Sequence, residues 1–135
     1  MVFCRKHDRK GRFVLNIAYF SRLAEREYDS VVRKFQDFPY SFNDVMLVFT
    51  DFFRKYELYR GESHPPVRRE LIRNYIRRMP FDDDGLRFCA DIDPEVYPEI
   101  ITGYFNTPFK KCDYRIAHFF SGDIRMLRLY EIMYE

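Results

Sequence analysis

Apolar and aromatic side chains recur every three or four residues through much of this chain, and prolines interrupt the pattern at intervals. A spacing of three and four places side chains on one face of an α-helix, so the pattern predicts helices that each bury one side. Proline ends a helix because it has no backbone N–H and disfavours the helical conformation in the residue before it. The sequence therefore predicts a mainly α fold, built from amphipathic helices whose boundaries follow the prolines.

The chain length and the aromatic content limit how this fold is built. A chain of 135 residues is the size of one domain and can bury a core without disulfides or metals. It contains 15 Phe and 11 Tyr but no Trp, so a few bulky aromatic side chains fill the core. We expect residues 1–135 to form a single compact domain of five or six helices.

The second helix is the clearest element, predicted from Phe42 to Arg60. Ser41 followed by Asp44 resembles a capping box, and Gly61 stands where a left-handed residue ends a helix. The apolar stripe between them is the broadest in the chain and includes Phe49. We therefore expect this helix to be the central element of the core.

Two structures compete at the start of the chain. Apolar residues at 2–4 and 13–15 flank a turn at 8–11, which predicts a short hairpin. Phe13, Ile17 and Phe20 instead begin a helical stripe that continues to Phe38. We place the start of the first helix between Asn16 and Ser21 and its end before Pro39. A short N-terminal hairpin or extended segment precedes it, and strand or helix at 12–16 is left open.

The other elements are predicted from the same local signals. Each is bounded by a proline, an Asp cap or a glycine. They are a third helix at 67–79, a short strand or extended segment at 86–92, a helix at 94–106 that Pro98 restarts or kinks, a helix from Asp113 through Phe120, and a last helix from Asp123 onward.

The third helix carries the main candidate binding residues. Arg69, Arg73 and Arg77 fall on one face, opposite the apolar side chains, and guanidinium groups match the geometry of phosphates. A basic N-terminal arm could extend this surface. The candidate residues for an anionic partner are Arg69, Arg73, Arg77, Lys6, Arg9 and Lys10.

These arginines could instead be neutralised within the chain. Residues 1–79 hold 17 Lys and Arg against 10 Asp and Glu, whereas residues 80–135 hold 6 against 11. The acidic segment at 82–99 is therefore a ready partner for the third helix. We favour neutralisation because nucleic-acid-binding domains more often have a pI above about 9, and this pI is near 8.4.

Metal and cysteine chemistry receive little support. The Asp-x-Asp pairs at 82 and 84 and at 91 and 93 could hold a divalent cation, but aspartates in such positions are ordinary turn and cap residues. Whether Asp82, Asp84, Asp91 and Asp93 bind a metal stays open, and we predict no metal and no cofactor. Cys112 and His118 could meet near the C-terminus, although a buried structural cysteine is the ordinary interpretation.

The function predicted from these features is a small non-enzymatic macromolecular interaction module with an unknown protein partner, of accessory or inhibitor type. Phosphate-binding and hydrolase motifs are missing from the sequence, so we do not expect an enzyme of those kinds. The alternative is a nucleic-acid-associated protein that uses the basic arm and the Arg-rich helix. Three cysteines without a C-x-x-C pair, no signal-peptide pattern and no long apolar run predict a cytoplasmic protein that does not enter membranes. The oligomeric state is left open.

Overall fold

The structure, a computed structural model, describes residues 6–7, 13–81, 92–121 and 124. These residues are mainly helical, as the sequence predicts. Their elements are β1 (Lys6–His7), β2 (Phe13–Val14), α1 (Ile17–Lys34), α2 (Phe42–Arg60), α3 (Arg69–Arg78), a 3₁₀ turn (Pro94–Val96), α4 (Tyr97–Phe105) and α5 (Ile116–Phe119).

Helix α2 has the predicted bounds because local chemistry defines both of its ends. The Ser41 hydroxyl accepts the Asp44 N–H at 3.1 Å, and the Ser41 N–H donates to the Asp44 carboxylate at 2.9 Å. These two bonds form the predicted capping box. Gly61 ends the helix with a φ of 72°, a left-handed conformation that glycine adopts without strain.

At the N-terminus a short antiparallel ladder precedes the first helix. Strand β1 pairs with β2 in the register His7 to Phe13, so Phe13 is in a strand and the helical stripe does not extend back to it. The Asn16 side chain then caps α1 by accepting the N–H groups of Ala18 and Tyr19 at 3.1 and 3.2 Å. The predicted start and end of the first helix are confirmed.

The core is centred on α2. Helix α1 packs mainly against α3, while α4 packs against α2. Phe49 is fully buried and meets Phe20 of α1 edge to face, with ring centroids 4.9 Å apart. The buried side chains of α2 are Val45, Val48, Phe49, Phe52, Phe53 and Tyr56. The expectation that this helix is the central element of the core is therefore confirmed.

Tyrosine hydroxyl groups tie loops to this core. The Tyr28 hydroxyl donates to the carbonyl of Tyr40 at 2.7 Å, and the Tyr97 hydroxyl donates to the carbonyl of Met79 at 2.6 Å. A buried phenol needs a hydrogen-bond partner, and a loop carbonyl without a ladder partner needs a donor. The aromatic side chains therefore fill the core, and the tyrosine hydroxyls also give hydrogen bonds to backbone carbonyls around it.

Two predicted helices are shorter than expected. The third helix begins at Arg69 rather than at Val67, because the chain after Pro66 is still extended at Arg68, with ψ of 144°. The helix expected from Asp113 is a single turn, α5, because Tyr114 has a left-handed φ of 57° that interrupts helical geometry. Apart from Ile92 and Ile124, the extended segment at 86–92 and the last helix lie outside the described residues.

Candidate functional site

Two arginines of α3 hold a buried carboxylate of α1. The Arg73 Nε donates to one oxygen of Glu27 at 2.7 Å, and an Arg69 terminal nitrogen donates to the other at 3.2 Å. The Glu27 side chain is only 2% exposed. An unpaired carboxylate buried to this degree would be costly, so the two arginines have a structural role in joining α3 to α1.

Glu27 was not identified from the sequence, although a signal was present. It lies seven residues after Phe20 and four before Val31, which places it on the buried stripe of α1. A charged residue in such a stripe indicates that an opposite charge approaches from another element. The identity of that element could not be read from local spacing.

The three predicted arginines therefore do not form one uniform binding face. Arg69 and Arg73 remain 44% and 54% exposed while they hold Glu27. Within the described part of the chain, their two positive charges meet the single negative charge of Glu27, so this cluster has a net positive charge. Arg77 is half-buried and donates to the side-chain oxygen of Asn74 at 3.3 Å.

Of the three candidate residues in the basic N-terminal arm, the structure describes only one. Lys6 lies in β1, while Arg9 and Lys10 lie outside the described residues. Most of the acidic segment expected to neutralise α3 also lies outside them. Neutralisation by that segment and a joint surface with the basic arm both stay predictions. The partner that the structure does provide for α3, Glu27, belongs to the basic half of the chain.

A different surface, on the outer side of α2, leaves large apolar side chains uncovered. Leu47 is 67% exposed and Leu58 is 77% exposed. They are eleven residues apart, so they lie on the same side of the helix, three turns or about 16 Å from one another. Asp51 and Arg54 lie between them and form an ion pair at 3.0 Å. We call this surface, Leu47 to Leu58, the α2 stripe.

A groove runs beside the N-terminal end of the α2 stripe. It has a volume of about 440 Å³ and lies between α2, the 3₁₀ turn and the start of α4. Lys55 reaches one side of it, 2.8 Å from the Asp51 carboxylate and 2.8 Å from the Pro98 carbonyl. The groove, which we call the α2 groove, is lined by Asp44, Leu47, Val48, Asp51, Pro94, Glu95, Tyr97 and Pro98.

His64 is a buried titratable group outside these surfaces. Its Nδ1–H donates to the Pro65 carbonyl at 2.7 Å, and its Nε2 accepts the Ile116 N–H at 3.0 Å. Burial, with a smaller contribution from the charge of Arg115, lowers the pKa of His64 to about 4 despite the hydrogen bond to Pro65, so the ring is neutral at pH 7. Because Leu15 N–H also donates to the His64 carbonyl at 2.9 Å, this residue joins three parts of the chain.

The structure offers no clear metal centre in the ranges that it describes. Within them, His, Cys, Asp and Glu side chains form no group of three or more that could hold an ion. Asp93 caps the 3₁₀ turn by accepting the Glu95 N–H at 3.1 Å, while Asp82, Asp84 and Asp91 lie outside the described residues. Cys112 and His118 do come together, with Sγ 3.2 Å from Nδ1.

Searches with protein-family models, curated proteins and solved structures found no match to this chain. Among the helices of the described residues, none has the length and apolar character needed to cross a membrane.

Proposed function

We propose that this chain is a non-enzymatic protein-interaction module that binds a protein partner through the α2 stripe and the α2 groove. The observation that carries the proposal is the exposure, on one side of α2, of Leu47 and Leu58, the two most exposed large apolar side chains of this helix. Burying a leucine side chain is worth about 1.5 to 3 kcal/mol, so two of them can anchor a partner.

The spacing of the α2 stripe favours a helical partner segment. Two apolar side chains on a partner helix, three turns apart, would match the distance between Leu47 and Leu58. The Asp51–Arg54 ion pair between them would lie at the centre of such a contact and would fix its register. Tyr59, 43% exposed beside Leu58, adds aromatic area at one end.

The charge around the α2 groove favours lysine or arginine on that partner. Asp44 and Glu95 line the groove, and Lys55 at its side is already paired with Asp51. Opposite charge speeds association and excludes wrong partners more than it adds affinity. The proposed partner therefore presents an amphipathic segment with two apolar anchors and a cationic end.

The proposal is tested by affinity purification from the native host with matched variants. The bait is the full chain as wild type, as Leu47→Gln with Leu58→Gln, and as Phe35→Gln. Phe35 is 41% exposed and follows the last residue of α1, a different helix from the one that carries the stripe, so it controls for the loss of an exposed apolar side chain. Half of each sample is treated with nuclease.

A protein that is retained by the wild type and by Phe35→Gln, but lost by the double α2 variant, supports the proposal. Retention that is equal in all three baits contradicts it. Retention that disappears with nuclease treatment favours the nucleic-acid alternative instead.

That alternative, a nucleic-acid-associated protein, is supported by the exposed parts of Arg69 and Arg73. The excess positive charge of the Glu27 cluster and the exposed Arg22 and Arg26 of α1 could meet phosphates. Binding of this kind weakens steeply with salt, and each lost phosphate contact flattens the slope by about 1.

The variant that tests it combines Arg69→Gln, Arg73→Gln and Arg77→Gln with Glu27→Gln, which avoids leaving a buried carboxylate unpaired. A flattening of the slope by about three units, with Glu27→Gln alone as the control, would favour this alternative. Absence of salt-sensitive retardation of DNA or RNA by the wild type at micromolar concentration would contradict it.

The proposal also includes a cytoplasmic location and an accessory or inhibitor role. A reducing compartment is supported by an odd number of cysteines without a C-x-x-C pair. The accessory role follows from the absence of phosphate-binding and hydrolase motifs in the sequence. Fractionation of the native host, with the chain followed by antibody, tests the location.

A further inference from the structure

The side chains of Cys112, His118 and Tyr104 form a cluster where the loop after α4 meets α5. The Cys112 Sγ lies 3.2 Å from the His118 Nδ1. The Tyr104 hydroxyl lies 2.7 Å from the same Nδ1 and 3.8 Å from Sγ. Cys112 and His118 are partly exposed, whereas Tyr104 is fully buried. A thiol within hydrogen-bond reach of a base, which a third group orients, is the arrangement of a nucleophilic cysteine.

Tyr104 determines which ring nitrogen of His118 carries hydrogen. Burial raises the pKa of Tyr104, so its hydroxyl keeps the proton and needs an acceptor. The nearer acceptor is the His118 Nδ1 at 2.7 Å. In this arrangement Nδ1 carries no hydrogen, and its single lone pair can accept from the Tyr104 hydroxyl or from the Cys112 thiol, but not from both at once.

The backbone around Cys112 adds a second polar contact to the sulfur. The Tyr114 N–H donates to Sγ at 3.2 Å, and a backbone donor stabilises negative charge as it forms on sulfur. Lys111 and Tyr114 are both left-handed, with φ of 52° and 57°. This turn of the chain allows the N–H group and the imidazole to reach the same sulfur atom.

We propose that Cys112 and His118 form a nucleophilic thiol site that reacts with soft carbon electrophiles, with His118 as the base. With iodoacetamide as the probe, Sγ attacks the methylene carbon and forms a C–S bond. The C–I bond breaks, and iodide leaves with the bonding electrons. The Tyr104 hydroxyl turns from the His118 Nδ1 to the sulfur, which lies 3.8 Å away, and the thiol proton moves to the freed Nδ1 and then to water. The product is a thioether at Cys112.

The test measures the rate of iodoacetamide reaction at each cysteine of the full chain at pH 7, by mass spectrometry of the digested protein. The variant is His118→Asn, whose side-chain oxygen can accept from Tyr104 but cannot take the thiol proton. We expect the rate at Cys112 to fall about 10-fold or more, within the range usual for general bases. The rates at Cys4 and Cys89 serve as internal references and should not change. A change of less than about twofold at Cys112, in a variant that melts like the wild type, overturns the proposal.

A second measurement needs no variant and covers the case in which His118→Asn fails to fold. The wild-type chain is labelled with and without urea, and glutathione in the same solutions corrects for the effect of urea on the reaction. Unfolding separates Sγ from Nδ1, so native Cys112 should react faster than Cys112 in the unfolded chain. Slower reaction of the native protein would overturn the proposal.

Discussion

The α1–α3 side of the molecule buries a charged side chain, whereas the α2 side leaves apolar side chains exposed. On the first side a charge, Glu27, is buried and held by Arg69 and Arg73. On the second side two leucines, Leu47 and Leu58, remain exposed. Arginines are abundant on the first side, yet two of them have an internal partner. A large apolar side chain that no other part of the fold covers is therefore a better indicator of a contact surface than the number of charges on a face.

The largest expected effect concerns Phe49, which lies between the two sides. Phe49→Ala should destabilise the fold by about 3 to 5 kcal/mol, because it empties a fully buried aromatic position in contact with Phe20 and Phe53. Chemical denaturation of both proteins measures the difference. An unchanged melting temperature would contradict the assignment of α2 as the central helix.

The next effect isolates the structural role of the arginines. Arg69→Gln with Arg73→Gln should cost roughly 3 kcal/mol, because it leaves the buried Glu27 carboxylate without a cation. Adding Glu27→Gln should restore part of that loss, and Arg77→Gln should change stability by less than about 0.5 kcal/mol. Equal stabilities for the double variant and Arg77→Gln would show that the Glu27 contacts contribute nothing.

A third effect concerns His64, which joins the chain before α1 to α5 through hydrogen bonds with Leu15 and Ile116. Its pKa is about 4 in the folded chain and 6.5 as the ordinary value, so the unfolded chain binds the proton first as pH falls. Its contribution to stability is complete above pH 6.5 and declines toward pH 4. Between pH 7.5 and pH 5 the free energy of unfolding should fall by about 2 kcal/mol from this residue.

The control for His64 is His64→Gln, which cannot titrate but whose side-chain oxygen can accept the Ile116 N–H. The difference in unfolding free energy between the two proteins should narrow as pH falls from 6.5 to 4. A difference that stays constant over this range would mean that His64 does not bind a proton on unfolding.

The smallest expected effect is on the α2 stripe itself. Leu47→Gln with Leu58→Gln should alter stability by less than about 0.5 kcal/mol, because both side chains are exposed and glutamine is a good helix former. Thermal unfolding measures this directly. A loss comparable to that of Phe49→Ala would mean that the leucines are covered in the folded protein, and the stripe would then no longer be an available binding surface.

Local signals predicted much of this fold because they act within a few residues. The bounds of α2 follow from Ser41, Asp44 and Gly61, and the restart of helix near Pro98 follows from a proline in the first turn of α4. The predicted length of the helix from Asp113 was wrong because Tyr114 is left-handed. Its N–H donates to the Cys112 sulfur in the loop that precedes α5. Neither helical spacing nor capping chemistry encodes that loop.

For the candidate sites too, helical spacing predicted the local pattern but not the contacts with other elements. The cationic face of α3 could be predicted from spacing alone, but its engagement with Glu27 could not. The exposure of Leu47 and Leu58 was not predicted either, because neither residue was assigned to the buried stripe of α2 or to a binding surface. Whether an apolar side chain is covered depends on which elements pack beside it.

By itself the sequence determined the helical class, the bounds of α2, the capping at Ser41 and Gly61, and the amphipathic character of α3. Three features became visible only in the tertiary structure. Residues 13–14 pair as a strand, and Arg69 and Arg73 hold Glu27 from 42 and 46 residues away. His64 accepts the Ile116 N–H from 52 residues away. The reason is physical. Periodicity and caps are properties of a few neighbouring residues, whereas contacts over such separations form only when the packing of the whole core overcomes the entropy of closing the chain.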